Sequence, residues 1–218
     1  MNSDSRFKRG LELRHAAIDR LPTDLKAALA AACTQRQTEV VRAYTRRTGT
    51  PVSIAFDSLL NAIWDKIHQR QGLRSNEHRE WEGRARRLYP GDREKSDIYH
   101  GCAQIAVMSL LNSNSVLMTD KAEDTCNAAH EAFVSIYNFL VSSIGKKPQF
   151  DLREPGAIEK IFAHPLIEAE HLRQERDLFE LEQTLLQPDA IPNVVDTLRR
   201  RSEIDARDFL PIVDGTQV

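Results

Sequence analysis

Apolar residues recur at intervals of three or four positions along most of the chain, which is the spacing of one face of an α-helix. Glycine and proline fall between these periodic segments, as expected at helix ends. No segment shows the strict alternation of apolar and polar residues that predicts a strand. The pattern therefore predicts an all-α fold, in which residues 1–218 form a single compact multi-helix bundle of about seven to eight helices.

The predicted helices follow one another through short connections. They lie around residues 11–18, from Thr23 to Gly49, from Pro51 to Gly72, over 75–89, from Asp92 or Ser96 to about 118, from Thr119 to Gly145, and over 164–187 and 193–208. Residues 145–163 contain two prolines and two glycines and are expected to form an extended connector. The helix around GCAQIAVMSLLNSNSVLM is apolar almost all round, so we expect it to be the most buried element.

Composition narrows the class of protein. The formal net charge is -2 and the pI is near 6.4, so no basic field favours a nucleic acid or an anionic membrane surface. The N-terminus has no apolar signal segment, and polar residues interrupt the longest uncharged run. Three widely spaced cysteines, Cys33, Cys102 and Cys126, are typical of reduced core thiols. We expect a cytoplasmic protein that binds neither nucleic acid nor membrane.

The segment HPLIEAEHLRQERDLFELEQ, residues 164–183, raises the question of a metal site, because Glu168 and His171 have the Glu-x-x-His spacing of di-metal carboxylate proteins. Such a site needs inward-facing glutamates from further helices, and the apolar stripes over 53–70 and 119–144 contain none. Acidic-x-x-His pairs also occur at Glu12/His15, Asp65/His68 and Asp97/His100, where both aspartates lie off the apolar stripes and predict exposed helix surfaces. We expect no metal, no cofactor and no catalytic residue.

The same helix has a predicted core-facing side. Its members step by four and three residues and are Ile167, His171, Gln174, Leu178, Leu181 and Leu185. His171 and Gln174 are therefore expected to need polar partners in the core. Glu168 and Glu170 lie near the positive end of the helix dipole, which explains these two acids without a metal.

Other kinds of chemistry find little support. The sequence has no Gly-x-Ser-x-Gly elbow, no G-x-G-x-x-G turn and no phosphate-binding G-x-x-x-x-G-K loop. Two arginine runs, at residues 84–87 and 199–201, have acids close by and are interpreted as solvated charged faces.

A second apolar line on the helix at 164–187 is the leading candidate for binding. Leu172, Phe179 and Leu186 form this line, and Glu168, Glu175 and Glu182 are interleaved with it. The helix either packs between two neighbours with its carboxylates at the rim, or presents a surface to a partner. In the second case Phe179 anchors the partner, and Glu168, Glu175 and Glu182 select a basic one.

Three stretches of the chain resemble the YjaG-like family, a set of all-helical bacterial proteins described as a domain of unknown function. They are VVRAYTRRTGTPVSIAFDSLLNAIW, SDIYHGCAQIAVMSLLNSNS with the following TDKAEDTCNAAHEAFVSIYNFL, and HPLIEAEHLRQERDLFELEQTLL. The resemblance covers about residues 21–187 and leaves a C-terminal helix and tail at 188–218. It implies a helical fold and a bacterial cytoplasmic protein, and it brings no catalytic residues to transfer.

Together these features predict a non-enzymatic protein-binding module. The leading hypothesis is a bacterial immunity or inhibitor protein that neutralises a cognate toxin by direct binding. One alternative is a metal- or small-molecule-dependent helical enzyme built on His15, Glu168 and His171. Another is a homodimeric scaffold that uses the apolar line of Leu172, Phe179 and Leu186 for self-association.

Overall fold

The computed structural model describes residues 14–91, 97–144 and 156–213. All regular secondary structure in these ranges is helical, and eight of the helices have 11 residues or more, so the predicted all-α bundle is confirmed. The helices are α1 (described over 14–19), α2 (Thr23–Gln35), α3 (Thr38–Thr48), α4 (Val52–His68), α5 (Ser75–Leu88), α6 (Ile98–Thr119), α7 (Ala122–Ile144), α8 (Ala157–Phe162), α9 (Pro165–Thr184), α10 (Ile191–Asp205) and α11 (Leu210–Val213). Short 3₁₀ turns at Pro188–Ala190 and Ala206–Phe209 flank α10.

Some predicted features lie outside the described residues. They are the start of the first helix near Leu11, residues 145–155 of the predicted connector, and the tail after residue 213. The described remainder of the connector is not extended, because residues 157–162 form α8. Among the described helices, none combines the length and the apolar character needed to cross a membrane.

The centre of the bundle is α2, whose sequence is TDLKAALAAACTQ. Eleven of its 13 residues are buried, and it contacts α4, α6, α7, α9 and α10. The prediction that α6 is the most buried helix is wrong: 11 of its 22 residues are buried, and Met108 is exposed. The small alanine side chains of α2 let neighbouring helices approach from every side, which a stripe-based prediction does not recognise.

The single helix predicted from Thr23 to Gly49 is two helices in the structure. The backbone N–H of Gln37 donates to the carbonyl of Thr34 at 3.0 Å, which tightens the end of α2 into a 3₁₀ turn. Thr38 donates its hydroxyl to the carbonyl of Gln35 at 3.0 Å, and α3 begins there. The turn directs Arg36 and Gln37 into the protein, where both are fully buried.

The start of α9 is fixed by its N-cap residue and its first residue. Pro165 occupies the first turn, where a missing N–H costs no hydrogen bond. His164 is the N-cap, and its Nδ1 accepts a hydrogen bond from the backbone N–H of Leu166 at 3.3 Å. Partial burial lowers the pKa of His164, which favours the neutral imidazole that this cap requires.

The cysteines fit the expectation of unpaired thiols. Cys33 and Cys102 are buried, Cys126 is partly buried, and none forms a disulfide. Burial raises the pKa of Cys33 to about 12 and that of Cys126 to about 11. Both thiols therefore stay protonated and weakly nucleophilic near neutral pH.

Candidate partner-binding groove

An open groove of about 1200 Å³ runs between α7 and α9, with α1 along one side. Its surface is mainly apolar. From α1 the groove is lined by Arg14, His15 and Ala17, from α7 by residues between Glu123 and Tyr137, from α8 by Phe162, and from α9 by residues between His171 and Glu182. We refer to this feature as the groove.

The wall formed by α9 contains three of the four residues predicted to bind a partner. Glu175, Phe179 and Glu182 line the groove, whereas Glu168 is exposed nearer the start of α9 and does not. Phe179 is 60% exposed, and the rest of its apolar line is open as well, with Leu172 57% and Leu186 78% exposed. The alternative prediction, a helix packed between two neighbours on this side, does not fit these exposures.

Sequence reasoning missed the opposite wall, which is aromatic. Phe133 and Phe162 stack with their ring centroids 5.8 Å apart, and Tyr137 meets Phe162 at 5.5 Å. Phe162 belongs to α8, in the segment predicted to be a connector. Phe133 lies in the apolar stripe of the helix predicted from Thr119 to Gly145, and nothing in the sequence distinguishes a place at a groove from a place in the core.

A chain of polar contacts joins α1 to the α9 wall of the groove. Arg14 donates from Nη1 to Oε1 of Gln174 at 3.1 Å, and its Nη2 lies 3.1 Å from Nδ1 of His171. The Nε2 of His171 lies 3.0 Å from a carboxylate oxygen of Glu175. Because arginine can only donate, Nδ1 of His171 accepts from Arg14, and its Nε2 donates to Glu175.

The prediction that both His171 and Gln174 face the core is correct for one of them. Gln174 is buried, and its amide donates to the carbonyl of Ala129 on α7 at 2.9 Å. The side chain of His171 is 51% exposed. Its two nitrogens are engaged by Arg14 and Glu175, and an arginine beside a histidine disfavours a bound cation. In the described ranges, no three His, Cys, Asp or Glu residues are grouped as metal ligands would be.

The charged groups that line the groove are mainly acidic. They comprise Glu123, Glu175 and Glu182 against Arg14, which gives three negative charges, one positive charge and a net charge of -2 with histidines neutral. Glu182 also pairs with Arg20 of the segment after α1 at 2.7 Å. The groove therefore combines an apolar floor with an excess of carboxylates.

Beneath the groove lies a fully buried ionic cluster that sequence reasoning did not find. Arg36 contacts Glu170 at 3.0 Å and Asp177 at 2.8 Å, and all three side chains have no solvent exposure. Gln174 donates to Glu170 at 2.8 Å and so links this cluster to Arg14 in the groove. Burial opposes the charge on Arg36, but the two carboxylates outweigh it and raise the pKa of Arg36.

The cluster continues to the C-terminal helix. Arg201 of α10 donates to Asp177 at 2.8 Å and to Glu180 at 2.8 Å. The prediction that the arginine run at 199–201 is only a solvated face is therefore wrong for Arg201. The run at 84–87 fits the prediction better, since Arg86 pairs with Glu82 on the exposed side of α5.

The other acidic-x-x-His pairs have structural roles. Asp97 caps α6 by accepting from the backbone N–H of His100 at 3.0 Å, and His100 is buried rather than exposed as predicted. Asp65 is exposed as predicted, and His68 lies 3.0 Å from Asp196 of α10. The pair Glu12/His15 extends outside the described residues, and His15 itself is exposed in the groove.

A second, smaller cavity of about 270 Å³ lies between α3, α4 and the end of α10. Its lining is polar, and its central arginine is already paired: Arg42 contacts Glu39 at 2.6 Å and Asp57 at 3.1 Å. The groove is therefore the stronger candidate for a binding site.

Comparison with known proteins gives information on the fold of the chain. No protein-family model and no curated protein matches the chain. Among solved structures it is similar to a DUF416 family protein from Shewanella baltica, with a TM-score of 0.71 and 17% sequence identity over 86% of this chain and 92% of that chain. At this identity the likeness shows a shared helical fold and assigns no activity. It supports a helical domain like that of an uncharacterised family.

Proposed function

We propose that the chain is a non-enzymatic protein-binding module, and that its partner is a toxin which it neutralises as a cognate immunity protein in a bacterial cytoplasm. The observation that carries the proposal is the exposed apolar line of Leu172, Phe179 and Leu186 beside the open groove. The mainly apolar lining of the groove, with the exposed Phe179 in its wall, is the kind of surface that typically marks an interaction site.

The composition of the surface favours a protein partner over a small polar substrate. An aromatic anchor surrounded by polar groups is the usual organisation of a protein–protein interface. Phe179 supplies the anchor, and Glu175 and Glu182 lie next to it in the groove wall. The acidic excess in the groove would steer a basic partner and disfavour an acidic one.

The enzyme alternative has less support. It depends on His171 as a ligand or base, and His171 is held between Arg14 and Glu175. Glu168 lies outside the groove, so it and His171 do not face a common cavity.

The test begins with a native mass spectrum of the untagged protein purified from its source cells. We expect a one-to-one complex with a single protein. That partner, expressed alone in a heterologous bacterium, should arrest growth, and co-expression of this chain should restore it. The Phe179→Asp variant should fail to restore growth, while Ile204→Asp, a matched change at an exposed apolar residue of α10, should restore it.

The outcomes separate the parts of the proposal. A harmless partner would contradict the immunity function and leave the binding module standing. A complex that survives Phe179→Asp would show that the α9 surface was wrongly chosen. Near-stoichiometric bound metal that is lost on His171→Ala, without any protein partner, would contradict the proposal and favour the enzyme.

A further inference from the structure

The lining residues of the two groove walls, α7 and α9, follow the same sequence intervals. The residues of α7 that line the groove include the series Cys126, His130, Phe133 and Tyr137. Those of α9 include the series His171, Glu175, Leu178 and Glu182, with Gln174 and Phe179 beside it. Each series steps by four, three and four residues, which is how a helix presents a continuous seam to another helix packed along it. Two such seams facing one groove are suited to a third helix.

The dimensions agree with this occupant. Each series spans 12 residues, which are 11 helical steps, from Cys126 to Tyr137 and from His171 to Glu182. At the rise of an α-helix this corresponds to about 16 Å, or three turns.

The charges favour a basic occupant. Glu123, Glu175 and Glu182 line the groove. Glu182 already pairs with Arg20, and Arg14 is held by Gln174 and His171, so Glu123 and Glu175 are the carboxylates left for an incoming cation. A second copy of α9 would be a poor occupant, because its own apolar line is interleaved with Glu168, Glu175 and Glu182 and would bring carboxylates against carboxylates.

We infer that the groove binds an amphipathic α-helix of the partner protein, with apolar residues at heptad spacing facing α7 and α9 and with lysine or arginine beside them. This inference rests on the proposed function and names the class of partner element that the groove accepts. The mode is helix-in-groove recognition, in which apolar anchors give affinity and flanking charges give selectivity.

The probe is a fluorescein-labelled synthetic helix of about 14 residues, with leucine at the a and d positions and lysine at e and g. Two matched peptides serve as controls: one replaces each lysine with glutamate, and one has the same composition in scrambled order. Fluorescence anisotropy is measured with the full-length protein. We expect saturable binding of the lysine helix alone, weakening as salt is raised because the charge pairs are screened.

Variants locate the binding. Phe179→Asp should weaken binding of the lysine helix about tenfold or more, as loss of a central anchor does. Combined replacement Glu123→Gln and Glu175→Gln should weaken it several-fold and flatten its salt dependence. Glu168→Gln is the matched control on the same helix, and it should bind like the wild type because Glu168 does not line the groove.

The results distinguish failure of the inference from failure of the proposed function. In one outcome the partner protein binds, and Phe179→Asp abolishes that complex. If the lysine helix then does not bind, or competes no better than the scrambled peptide, the partner element is not a helix. If neither binds, both proposals fail. If the peptide binds only after residues 1–13 are deleted, the groove belongs to the chain's own N-terminal segment. If the wild type forms a dimer that Phe179→Asp abolishes, the groove belongs to a second copy. Either result would overturn the inference.

Discussion

At the scale of single residues, Arg36 is the buried cation that most affects the stability of the protein interior. Its guanidinium neutralises two carboxylates, Glu170 and Asp177, and all three groups are fully buried. Replacing Arg36 with Leu would leave Glu170 buried without a cationic partner, and Asp177 with only the partly exposed Arg176 and Arg201. We expect Arg36→Leu to lower the free energy of unfolding by about 3–5 kcal/mol, measured by urea denaturation.

The control is a surface arginine of the same protein. Arg20 pairs with Glu182 at 2.7 Å but is largely exposed, so Arg20→Leu should cost no more than about 1 kcal/mol. The triple change Arg36→Leu, Glu170→Gln and Asp177→Asn removes all three charges and should recover much of the loss. Equal stability of the Arg36→Leu and Arg20→Leu variants would mean that the buried carboxylates are compensated by other groups.

The residues of α9 show what sequence periodicity can and cannot assign. The apolar positions Ile167, Leu178 and Leu181 are buried as their spacing predicts. The same spacing placed His171 in the core, yet the structure buries Glu170 and Asp177 and leaves His171 exposed. A buried charge can be anticipated only if its partner is known, and that partner, Arg36, is more than 130 positions away along the chain. The long-range contact, rather than the local pattern, decides which polar residue is buried.

At the scale of elements, the end of α3 requires a left-handed residue. Gly49 has φ 70° and donates its backbone N–H to the carbonyl of Thr45 at 2.9 Å. Alanine at this position would be strained although its Cβ meets no atom within 4 Å. We expect Gly49→Ala to destabilise the protein by about 1 kcal/mol, measured by thermal or urea unfolding.

Gly101, inside α6, provides the opposite case. Its added Cβ also meets open space, and helical backbone suits alanine better than glycine. Gly101→Ala should therefore stabilise the protein by about 0.5–1 kcal/mol. A destabilising effect of the same size at both sites would contradict the conformational explanation.

The contact between α6 and α7 contains a carboxylate that responds to pH. Burial raises the pKa of Glu131 to about 7, although Asn112 donates to it at 3.1 Å and acts in the opposite direction. The unfolded chain has the lower pKa, near the ordinary 4.5, so between these values the folded state binds more protons than the unfolded state. This group's contribution to stability must therefore decline as pH rises from about 4.5 to 7, and level off above that.

The Glu131→Gln variant tests this directly. Glutamine keeps an oxygen that can accept from Asn112 and removes the ionisation. We expect a shallower loss of stability between pH 4.5 and 7 than in the wild type, and greater stability above pH 7, in urea denaturation at several pH values. Glu168→Gln, at an exposed position of α9, should leave the wild-type profile unchanged. An unaltered profile in Glu131→Gln would show that Glu131 does not carry the pH dependence.

The sequence predicted most of the helices. It was less successful in predicting where they end and how they are connected. The apolar stripe of α4, with Phe56, Leu60 and Ile63, is buried as the sequence indicates. The break between α2 and α3 was not predictable from periodicity, because neither glycine nor proline marks it. It exists because Arg36 and Gln37 gain buried partners on α9 and α7, namely Glu170 and the hydroxyl of Ser135. Tertiary contacts here override the local preference for a continuous helix.

At the scale of the whole molecule, buried ion pairs hold in place the helix that carries the proposed binding surface, α9. The cluster around Arg36 fixes α9 against α2 from within, and Arg201 fixes it to α10. With its inner face held in this way, α9 presents Phe179 and Glu175 on its outer face. A preorganised surface loses little conformational entropy on binding, which suits a tight inhibitor. The sequence left open whether this face of α9 packs between neighbours or is exposed, and it did not indicate the buried contacts that hold α9 in place.

The same outer face predicts opposite effects of salt on two kinds of association. Self-association through Leu172, Phe179 and Leu186 is opposed by the interleaved carboxylates, whereas binding of a basic partner is favoured by them. At about 1 M salt the Debye length falls to about 3 Å, so both electrostatic effects are largely screened while the apolar contribution remains.

Analytical ultracentrifugation of the protein alone should therefore show more self-association at high salt than at low salt. The lysine helix should bind more weakly over the same range. Phe179→Asp should suppress the self-association. A protein that dimerises strongly at low salt and dissociates at high salt would instead be held together by ion pairs, and the homodimeric scaffold would replace the basic partner as the better account of this face.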